Sequence, residues 1–352
     1  VYCGPDSTDP RVAEQLRREG ITVESSRAWT AEQAHEAALR LLDKIQPNII
    51  IDDGASFARL ASLERPELTT NLIGVAEETT SGVRAFQQMQ EAGALTYPVV
   101  AVNDSVLKTG FDNAHGTGET CVTTMQRILG EHAFDGKNVT VIGYGPVGQG
   151  FARRVRALGA EVTICDIDPV ASLKAVFDGF AAQDIDEALP CADMVVSATG
   201  VRHTVTLEHM RAMHEGAALA VIGGIANEIA LDEVSDFTPQ VNRDTVQLNV
   251  PDGPTLTLIA DGDGVNYTVG GGNPIEIMDL SFAVQASAVA YLLEHRGTLD
   301  HTLIRLDAAT DQRIAASALK ARGYRASHAV EDNGYDWRLT RFAENDRENA
   351  DR

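Results

Sequence analysis

A glycine-rich segment at 143–148 constrains the fold of this chain more than any other feature. Gly143, Gly145 and Gly148 follow the apolar run Val139–Ile142 and precede a stretch with helical periodicity. In such a segment the first glycine permits a tight turn, the second lets the backbone approach a pyrophosphate, and the third allows close helix packing. The segment therefore predicts a strand, a phosphate-binding turn and a helix.

An acidic residue about 20 positions further on fits the same unit. Asp166 follows the run Glu161–Cys165, which predicts a second strand. A carboxylate at that point accepts hydrogen bonds from both hydroxyls of an adenosine ribose and repels a 2′-phosphate. The fingerprint predicts a bound dinucleotide, and Asp166 favours NAD over NADP. Two simpler interpretations stay open: a glycine turn used only for packing, and an aspartate that forms a turn or caps a helix.

Short β-branched runs alternate with helical periodicity along most of the chain, which is typical of parallel sheets covered by helices. The predicted strands are Ile21–Val23, Asn48–Asp52, Leu72–Val75, Val99–Val102, Val139–Ile142, Glu161–Cys165, Met194–Ser197 and Ala218–Ile222. The predicted helices are Asp9–Glu19, Ala31–Ile45, Ser81–Ala92, Thr120–Leu129, Gly148–Leu158, Ala171–Phe180 and Phe282–His295.

This alternation predicts an α/β fold with two doubly wound parallel-sheet domains, the second of them an NAD-binding Rossmann domain. A chain of 352 residues is long for one hydrophobic core, which also favours two domains. We expect residues 1–115 to belong to the first domain and 119–271 to the Rossmann domain. The C-terminal helices, within 272–352, are expected to return to the first domain.

Two connections between the domains are predicted from polar and glycine-containing stretches. Asn103–Gly118 is interpreted as a loop and hinge, and a second crossing is expected near Gly270–Pro274. The final segment Glu344–Arg352 has almost nothing apolar to bury, so we expect a solvated tail.

The composition excludes several classes of partner. Lys and Arg number 29 against 51 Asp and Glu, a net charge of −22 at pH 7. Such a chain repels phosphate backbones and anionic lipids, so we expect neither nucleic acid nor membrane as a partner. No uninterrupted apolar run approaches the roughly 18 residues of a membrane span. Four scattered cysteines without a CxxC pair indicate reduced thiols in a cytoplasmic protein, not disulfides or a zinc site.

Several further motifs occur in a fixed order along the chain. They are Ile51-Asp52-Asp53-Gly54, Glu77-Glu78-Thr79-Thr80-Ser81-Gly82, Val102-Asn103-Asp104-Ser105-Val106-Leu107-Lys108, Phe111-Asp112-Asn113, the glycine fingerprint and Asp166-Ile167-Asp168-Pro169. In order and spacing they resemble the S-adenosylhomocysteine hydrolase family, from Val1 to about Arg322. The first domain is then the substrate domain.

The resemblance implies an unusual use of NAD. The proton at C4′ of a nucleoside is hardly acidic, but oxidation of the neighbouring 3′-hydroxyl to a ketone makes its removal possible. A base then takes the 4′ proton, the group on C5′ leaves, water adds in the hydrolase, and the ketone is reduced again. NAD is thus a recycled catalyst.

The resemblance also assigns roles to five residues of the first domain and the hinge. Lys108 and Asp112 match the family's pair at the 3′-hydroxyl, where the lysine takes the hydroxyl proton. Asp53 matches an acid at the reacting edge of the substrate and a candidate acid/base. Glu78 matches the acid that binds the ribose hydroxyls, and Asn113 a residue that bridges the base and the nicotinamide.

Cofactor contacts are implied in both domains. Thr79, Thr80 and Ser81 match a run that touches NAD, and Asn266 matches an asparagine that holds the nicotinamide carboxamide. The other expected cofactor residues are Asn113, Gly143, Gly145, Pro146, Val147, Gly148, Asp166, Thr199, Gly200, Ile222 and Gly223.

Taken one by one, the acidic and basic residues have simpler interpretations. Asp52 and Asp53 can end a strand, and Glu77 and Glu78 can begin a helix with a favourable dipole interaction. Lys108 can be a solvated charge in a loop. Only the combination at the family's spacing favours a site.

The chain departs from the family at several places. Gly224 and Asn273 stand where the family has histidines, the first facing the 5′ end of the substrate and the second beside the adenine. Ala171 replaces an asparagine, and Arg341–Arg352 lacks the family's C-terminal Lys…Tyr motif. The chain begins at Val1–Gly4 with a pattern typical of the end of a strand, so we expect an upstream segment to be missing.

The retained redox residues and the altered 5′ residues predict a diverged paralogue. Our leading expectation is a dehydratase that removes water from C5′ of an adenine nucleoside and leaves a 4′,5′-ene, as in nucleoside antibiotics. The alternative is a hydrolase for S-adenosylhomocysteine or a related thioether nucleoside. A catalytically silent NAD-binding regulator is a third possibility, disfavoured because Lys108, Asp112 and Asn113 are all present.

We expect a homo-oligomer, a dimer or a tetramer, by analogy with the family. The histidines show no metal-ligand spacing, so no metal site is expected. His115 is interpreted as a hinge histidine facing solvent. Cys121 and Cys165 are interpreted as small buried hydrophobic residues.

Overall fold

The structure is a computed structural model that describes residues 1–5, 7–223, 227–235, 237–238 and 243–328. Within these residues the chain forms two large β-sheets accompanied by helices, and a small sheet of two strands near the start. The α/β fold class with parallel sheets, predicted from the sequence, is confirmed.

The strands follow the alternation seen in the sequence. They are β1 (Tyr2–Cys3), β2 (Glu24–Ser25), β3 (Ile49–Asp52), β4 (Gly74–Glu77), β5 (Val99–Ala101), β6 (Asn138–Ile142), β7 (Glu161–Cys165), β8 (Ala181–Ala182), β9 (Met194–Ser197), β10 (Ala218–Val221), β11 (Thr245–Asn249), β12 (Thr255–Ile259) and β13 (Leu303–Ile304).

The α-helices are mostly placed between consecutive strands. They are α1 (Pro10–Arg18), α2 (Ala31–Ile45), α3 (Ser56–Glu64), α4 (Pro66–Thr69), α5 (Thr80–Glu91), α6 (Val106–Lys108), α7 (Gly118–Leu129), α8 (Pro146–Ala157), α9 (Pro169–Phe177), α10 (Ile185–Ala188), α11 (Leu207–Ala212), α12 (Val265–Thr268), α13 (Ile275–Glu294) and α14 (Ala308–Ala321). A π-helix occupies Thr109–Thr117, and short 3₁₀ turns occupy Val102–Asp104, Leu189–Cys191, Leu231–Glu233 and Ala260–Gly262.

The larger sheet has seven strands in the order β11-β12-β10-β9-β6-β7-β8 and is parallel except for the antiparallel pair β11–β12. The chain reverses direction across this sheet at β6, where the glycine fingerprint begins. Because open α/β sheets bind ligands outside the carboxyl ends of their strands at such a reversal, this edge is the expected place for a cofactor.

The smaller sheet has four parallel strands in the order β13-β5-β4-β3. Its fourth strand comes from the C-terminal part of the chain, where Leu303 pairs with Val99. Helix α13 packs against this sheet through Val284, Ala288 and Leu292, which recur every fourth residue and so form one face. In the described part of the chain, α13 is also the helix long and apolar enough to cross a membrane, by length and composition alone.

Several predicted boundaries shift. The predicted strand Ile21–Val23 is wrong, because the Ile21 N–H donates to the Leu16 oxygen at 3.1 Å and closes α1 around Gly20, whose φ is +82°. Helix α13 begins seven residues before the predicted Phe282, directly after the extended Pro274. Helices α8 and α9 each begin two residues earlier than predicted, with a proline in the first turn.

The predicted loop at Asn103–Gly118 is wrong, because this stretch is helical. The Ser105 hydroxyl accepts the Leu107 N–H at 3.1 Å and starts α6, which continues through the π-helix into α7. The Ser105 hydroxyl also donates to Asp311 at 2.7 Å. Polar residues that suggested a solvated loop are instead partners in buried contacts.

The π-helix packs closely on α8, the helix that follows the fingerprint. A Cβ at Gly150 would lie 2.0 Å from the Ala114 carbonyl oxygen, and one at Gly118 would lie 2.9 Å from the Gly150 carbonyl carbon. The Arg154 guanidinium donates to the same Ala114 oxygen at 3.0 Å. The two glycines therefore let the first part of the chain approach the fingerprint helix directly.

Candidate active site

Acidic residues meet at the carboxyl edge of the smaller sheet. In the parallel register of β3 and β4, Asp52 lies opposite Glu77, and each is the last residue of its strand. Asp53 and Glu78 follow immediately, so both enter the same edge of the sheet. The sequence pairs Asp52-Asp53 and Glu77-Glu78 thus split into one buried residue that ends the strand and one residue that follows it.

Asp52 is a buried structural carboxylate. It accepts the N–H groups of Asp53 at 3.0 Å, Phe57 at 3.2 Å and Ala58 at 2.9 Å, and so holds the start of α3. Burial raises the pKa of Asp52, and these backbone hydrogen bonds oppose that shift. The simpler interpretation of Asp52 as a strand-ending residue therefore describes its contacts.

Glu77 plays a similar role for two turns at once. Its fully buried carboxylate accepts the N–H of Gly54 and of Ala55, both at 2.9 Å, and the N–H and hydroxyl of Thr79 at 2.8 and 2.7 Å. Gly82 makes room for it, since a Cβ there would lie 2.2 Å from the carboxyl carbon. Sequence reasoning missed this role, and the signal was the acid five residues before a glycine inside a helix.

Lys108, Asp112 and Asn113 form a buried cluster. The Lys108 ammonium lies 2.7 Å from an Asp112 carboxylate oxygen and donates to the Asn113 side-chain oxygen at 2.9 Å. Lys108 is 4% exposed and Asp112 is 5% exposed. The wide turn of a π-helix accounts for the pair of contacts, because residues four and five positions on then face the same side. The interpretation of Lys108 as a solvated charge is wrong.

Glu78 faces this cluster without a partner of its own. The residue is 8% exposed, its two carboxyl oxygens are buried, and neither oxygen has a hydrogen-bond partner among the described residues. Burial raises the pKa of Glu78 to about 7, although the Lys108 charge acts in the opposite direction. A buried polar group without a partner is costly, so Glu78 is suited to bind a ligand hydroxyl.

Asp53 is more accessible than Glu78. It keeps exposed surface at the edge of the sheet, yet the protein around it still desolvates the carboxyl group. This desolvation raises the pKa of Asp53, and the Lys108 charge opposes the shift. The structure thus places Lys108, Asp112, Asn113, Asp53 and Glu78 in one electrostatic neighbourhood.

The fingerprint is shaped to receive a pyrophosphate. Gly143 has φ +96°, and a Cβ at Gly148 would lie 2.0 Å from the Gly143 carbonyl oxygen. At Gly145 a Cβ would meet no protein atom within 4 Å, which leaves open space in front of the turn. Helix α8 starts with Pro146 and Val147, and no side chain caps its first N–H groups. These free donors fit a phosphate anion.

Asp166 holds the turn and can still bind a ribose. One carboxylate oxygen accepts the Tyr144 N–H at 2.6 Å and the other accepts the Asp168 N–H at 2.9 Å. Each oxygen of a carboxylate has a second acceptor position. The interpretation as a turn-forming aspartate and the interpretation as a ribose ligand are therefore compatible.

The ends of β9 and β10 contribute the other predicted cofactor residues. Buried Glu228 accepts the N–H groups of Thr199 at 3.1 Å and Gly200 at 3.0 Å, and also the Ser197 hydroxyl. Sequence reasoning missed Glu228, an isolated acid next to apolar residues. After β10, Ile222 is buried and Gly223 has φ +59°. Gly224 lies outside the described residues.

Helix α5, in the first unit, lies near the end of β9 in the second unit. Thr79 caps this helix, and the Thr80 hydroxyl donates to Asn103 at 2.9 Å. Ser81 lies in the first turn beside Thr79, with the two hydroxyls 3.3 Å apart. The exposed Arg84 guanidinium reaches across to the Thr199 carbonyl at 3.1 Å. The two units are therefore in direct contact near the predicted cofactor residues.

Asn266 and Asn273 connect the cofactor side with the lysine cluster. Asn266 is buried, and its side-chain oxygen has no hydrogen-bond partner among the described residues, as a carboxamide-binding group requires. The Asn273 amide donates to Asp112 and to the Thr117 hydroxyl. These orphaned and open positions, together with the fingerprint, fit NAD.

Other predicted residues lie outside this cluster. His115 is exposed and lies 3.3 Å from the Arg154 guanidinium. Cys121 and Cys165 are buried, and burial raises the pKa of each thiol to about 12. Over the described ranges, no three His, Cys, Asp or Glu side chains are grouped to hold a metal ion. The tail Glu344–Arg352 is not among the described residues.

The fold and this site define an NAD-binding protein of Rossmann type with a buried lysine–carboxylate cluster on the π-helix that packs against the fingerprint helix. Residues 113–272 match the family model of the S-adenosyl-L-homocysteine hydrolase NAD-binding domain. The chain is 38% identical over 330 residues to the adenosylhomocysteinase of Thermotoga maritima. The aligned region covers 93% of this chain and 81% of that protein. The chain belongs to the S-adenosylhomocysteine hydrolase family, whose cofactor is NAD.

A second curated relative supports the same assignment. The chain is 37% identical over 325 residues to the S-inosyl-L-homocysteine hydrolase of Methanopyrus kandleri. The aligned region covers 91% of this chain and 76% of that protein. Among solved structures, a phosphoglycerate oxidoreductase from Vibrio cholerae o395 is 14% identical, with a TM-score of 0.49 over 83% of this chain and 98% of the other. The predicted family and cofactor are confirmed.

Proposed function

We propose that this protein cleaves the C5′ thioether of a nucleosidyl homocysteine by transient oxidation of the ribose. The observation that carries the proposal is the buried Glu78 carboxyl group, which has no partner of its own beside the Lys108–Asp112 pair. The relatives of this protein in Thermotoga maritima and Methanopyrus kandleri are named adenosylhomocysteinase and S-inosyl-L-homocysteine hydrolase, respectively.

The cofactor would lie between the two units. The fingerprint turn and the free N–H groups of α8 would hold the pyrophosphate, Asp166 the adenosine ribose, and Asn266 the carboxamide. The chemistry that bound NAD supplies is the reversible removal of hydride from the C3′ carbinol. Everything else in the cycle is a task for side chains of this protein.

The first task is to take the proton of the 3′-hydroxyl. Lys108 is the residue for it: in its neutral amine form it accepts this proton and becomes the ammonium. Asp112 and Asn113 hold its side-chain nitrogen at 2.7 and 2.9 Å, so it cannot turn away to solvent. Glu78 binds the ribose hydroxyls. With a pKa of about 7 it is partly neutral near neutral pH, so it both donates and accepts hydrogen bonds.

The second task is elimination at C5′. Asp53 is the candidate base for the 4′ proton, and its raised pKa makes it a stronger base than a solvated aspartate. Removal of this proton next to the ketone expels the sulfur from C5′, and the sulfur takes the proton that Asp53 now carries, so that homocysteine leaves as the thiol and Asp53 is again a carboxylate. Water then adds to C5′, and the net reaction consumes one water to give a nucleoside and homocysteine.

Dehydration of an adenine nucleoside is the second candidate. It is favoured by Gly224 and Asn273, which stand where the resemblance to the family implies histidines. In the structure the Asn273 side chain is committed to protein partners, so it does not replace the histidine as a proton-transferring group. The cycle would then stop after loss of water from C5′ and reduction of the ketone, leaving a 4′,5′-ene.

One experiment separates the two candidates. The purified protein is incubated with S-adenosylhomocysteine, S-inosylhomocysteine and adenosine, and thiol release and product masses are followed together. We expect homocysteine from a thioether substrate. Loss of one water from adenosine without thiol release would establish the dehydratase instead. If neither product forms, both candidate functions are excluded. We further propose that the protein is a homo-oligomer and that it is cytoplasmic. Light scattering of the purified protein tests the oligomeric state, and fractionation of cells tests the location.

A further inference from the structure

Asn273 lies at the centre of a hydrogen-bond network where the second crossing between the units meets the first. Its side-chain N–H groups donate to Asp112 and to the Thr117 hydroxyl, the latter at 3.0 Å. Its side-chain oxygen accepts the Thr120 hydroxyl at 3.0 Å and the Asn266 amide at 3.4 Å. Every hydrogen-bonding atom of this side chain is therefore engaged with protein.

The contact with Asp112 reaches the lysine cluster. One Asp112 oxygen accepts from Asn273, and the other lies 2.7 Å from the Lys108 ammonium. Gly116 leaves the necessary space, because a Cβ there would lie 2.8 Å from the Asn273 amide nitrogen. The orientation of the Asp112 carboxylate is thus set by a neutral donor on one side and a cation on the other.

The contact with Asn266 reaches the cofactor side. Asn266 is 6% exposed, and its amide group is oriented by Asn273 so that its own oxygen stays free. One asparagine therefore touches both the group that orients Lys108 and the group suited to bind a carboxamide. Small errors in the distance between such groups have large effects on a transfer reaction.

We propose that Asn273 is a positioning residue that sets the Lys108–Asp112 pair in register with Asn266, acting through Asp112. The inference rests on the proposed oxidation of the ribose hydroxyl. In this role Asn273 transfers no proton. It supplies a donor and an acceptor that carry no charge at any pH, so Asn273 holds the Asp112 carboxylate without adding a charge beside Lys108.

The charged groups around Asp112 make this neutrality testable. Lys108 is the cation beside it, and the carboxyl groups of Asp53 and Glu78 interact with it through space. A second carboxylate placed at position 273 would face Asp112 as a like charge. Such a pair binds one proton as the pH falls, which relieves the repulsion.

The first variant is Asn273→Ala, compared with Glu276→Ala as a matched control on an exposed side chain three residues on. We expect kcat of Asn273→Ala to fall on the order of 10- to 100-fold with less than about a threefold change in KM. We expect the Kd for NAD, measured by calorimetry on cofactor-free protein, to change by less than about threefold, because Asn266 itself remains. The control should match the wild type.

The second variant is Asn273→Asp, which keeps the size and adds the charge. Its activity relative to wild type should rise at least about tenfold between about pH 8 and about pH 6, whereas that of Asn273→Ala should stay constant. Equal losses in both variants at every pH, or full activity in Asn273→Ala, would overturn the inference. If the wild type itself reduces no bound NAD with a nucleoside, the proposed function fails first, and the two failures are distinguished.

Discussion

The α-carbon of Gly150 lies against the carbonyl oxygen of Ala114, so closely that a Cβ at position 150 would come within 2.0 Å of that oxygen. Gly150 belongs to the fingerprint helix α8, and Ala114 is the neighbour of Asn113 in the π-helix. The lysine cluster and the dinucleotide turn are thus joined backbone to backbone, without a long side chain between them. Their relative position depends on the absence of one methyl group.

Gly150→Ala should therefore destabilise the protein. The new Cβ meets backbone that cannot move without shifting Asn113, so we expect a loss of about 1–3 kcal/mol in the free energy of unfolding. Urea unfolding of wild type and variant measures this loss. An unchanged midpoint and slope would mean that α8 and the π-helix are not held at this distance in solution.

Gly145→Ala is the matched change in the same segment with the opposite expectation. The Cβ at position 145 meets no protein atom within 4 Å, so the stability of the cofactor-free protein should change by less than about 1 kcal/mol. The methyl group would occupy the space where a pyrophosphate approaches, so the Kd for NAD should rise at least about tenfold. Calorimetric titration with NAD is the measurement, and unaltered affinity would remove the fingerprint from cofactor binding.

Lys108→Ala should abolish turnover and leave the cofactor bound. The variant loses the proton acceptor proposed for the 3′-hydroxyl, and the fingerprint turn is unaffected. We expect kcat to fall on the order of 10²- to 10⁴-fold. Product formation and the NAD content of the purified protein are measured together, with the exposed Lys44→Ala as control. Normal turnover by Lys108→Ala would exclude the lysine from the mechanism.

Glu78 should make stability depend on pH. Because burial raises its pKa from 4.5 to about 7, the folded protein binds more protons than the unfolded chain between these values. The contribution of this group to stability is therefore present below about pH 4.5 and is lost as the pH rises through about 7, by up to about 3 kcal/mol.

The variant Glu78→Gln should lose this dependence. Relative to wild type it should gain stability at about pH 8 compared with about pH 5, measured by urea unfolding at both values. The exposed Glu67→Gln serves as control and should follow the wild type. A pH dependence of Glu78→Gln that parallels the wild type would place the raised pKa on another group.

The sequence predicted the elements whose patterns are local. Strand β7 matches the predicted Glu161–Cys165 at both ends. A β-branched run between turn-forming residues such as glycine and aspartate predicts both the strand and where it ends. The residues after strands were also interpretable, because parallel strands bring Asp53 and Glu78 to one edge whatever the details. The same reasoning predicted NAD from the fingerprint and Asp166.

Long-range contacts account for what the sequence did not predict. The stretch at 103–118 is polar and glycine-containing, but Asp311, about 200 residues further on, accepts the Ser105 hydroxyl and the Val106 N–H and stabilises a helical start. Asn273 was noted only as the replacement of a family histidine, and its contact with Asp112 arises from a chain crossing that no local pattern encodes. Glu228 was missed because its partners follow a different strand.

The pairing of β13 with β5 has a consequence for how the molecule is made. Leu303 completes a sheet whose other strands were synthesised some 200 residues earlier, and Asp311 ties down the helix that carries Lys108. On the ribosome, all strands of the seven-stranded sheet are synthesised before Leu303 and Asp311 emerge. The lysine site is therefore assembled last. A chain still being synthesised would form the dinucleotide-binding turn before it had the site proposed to oxidise a ribose.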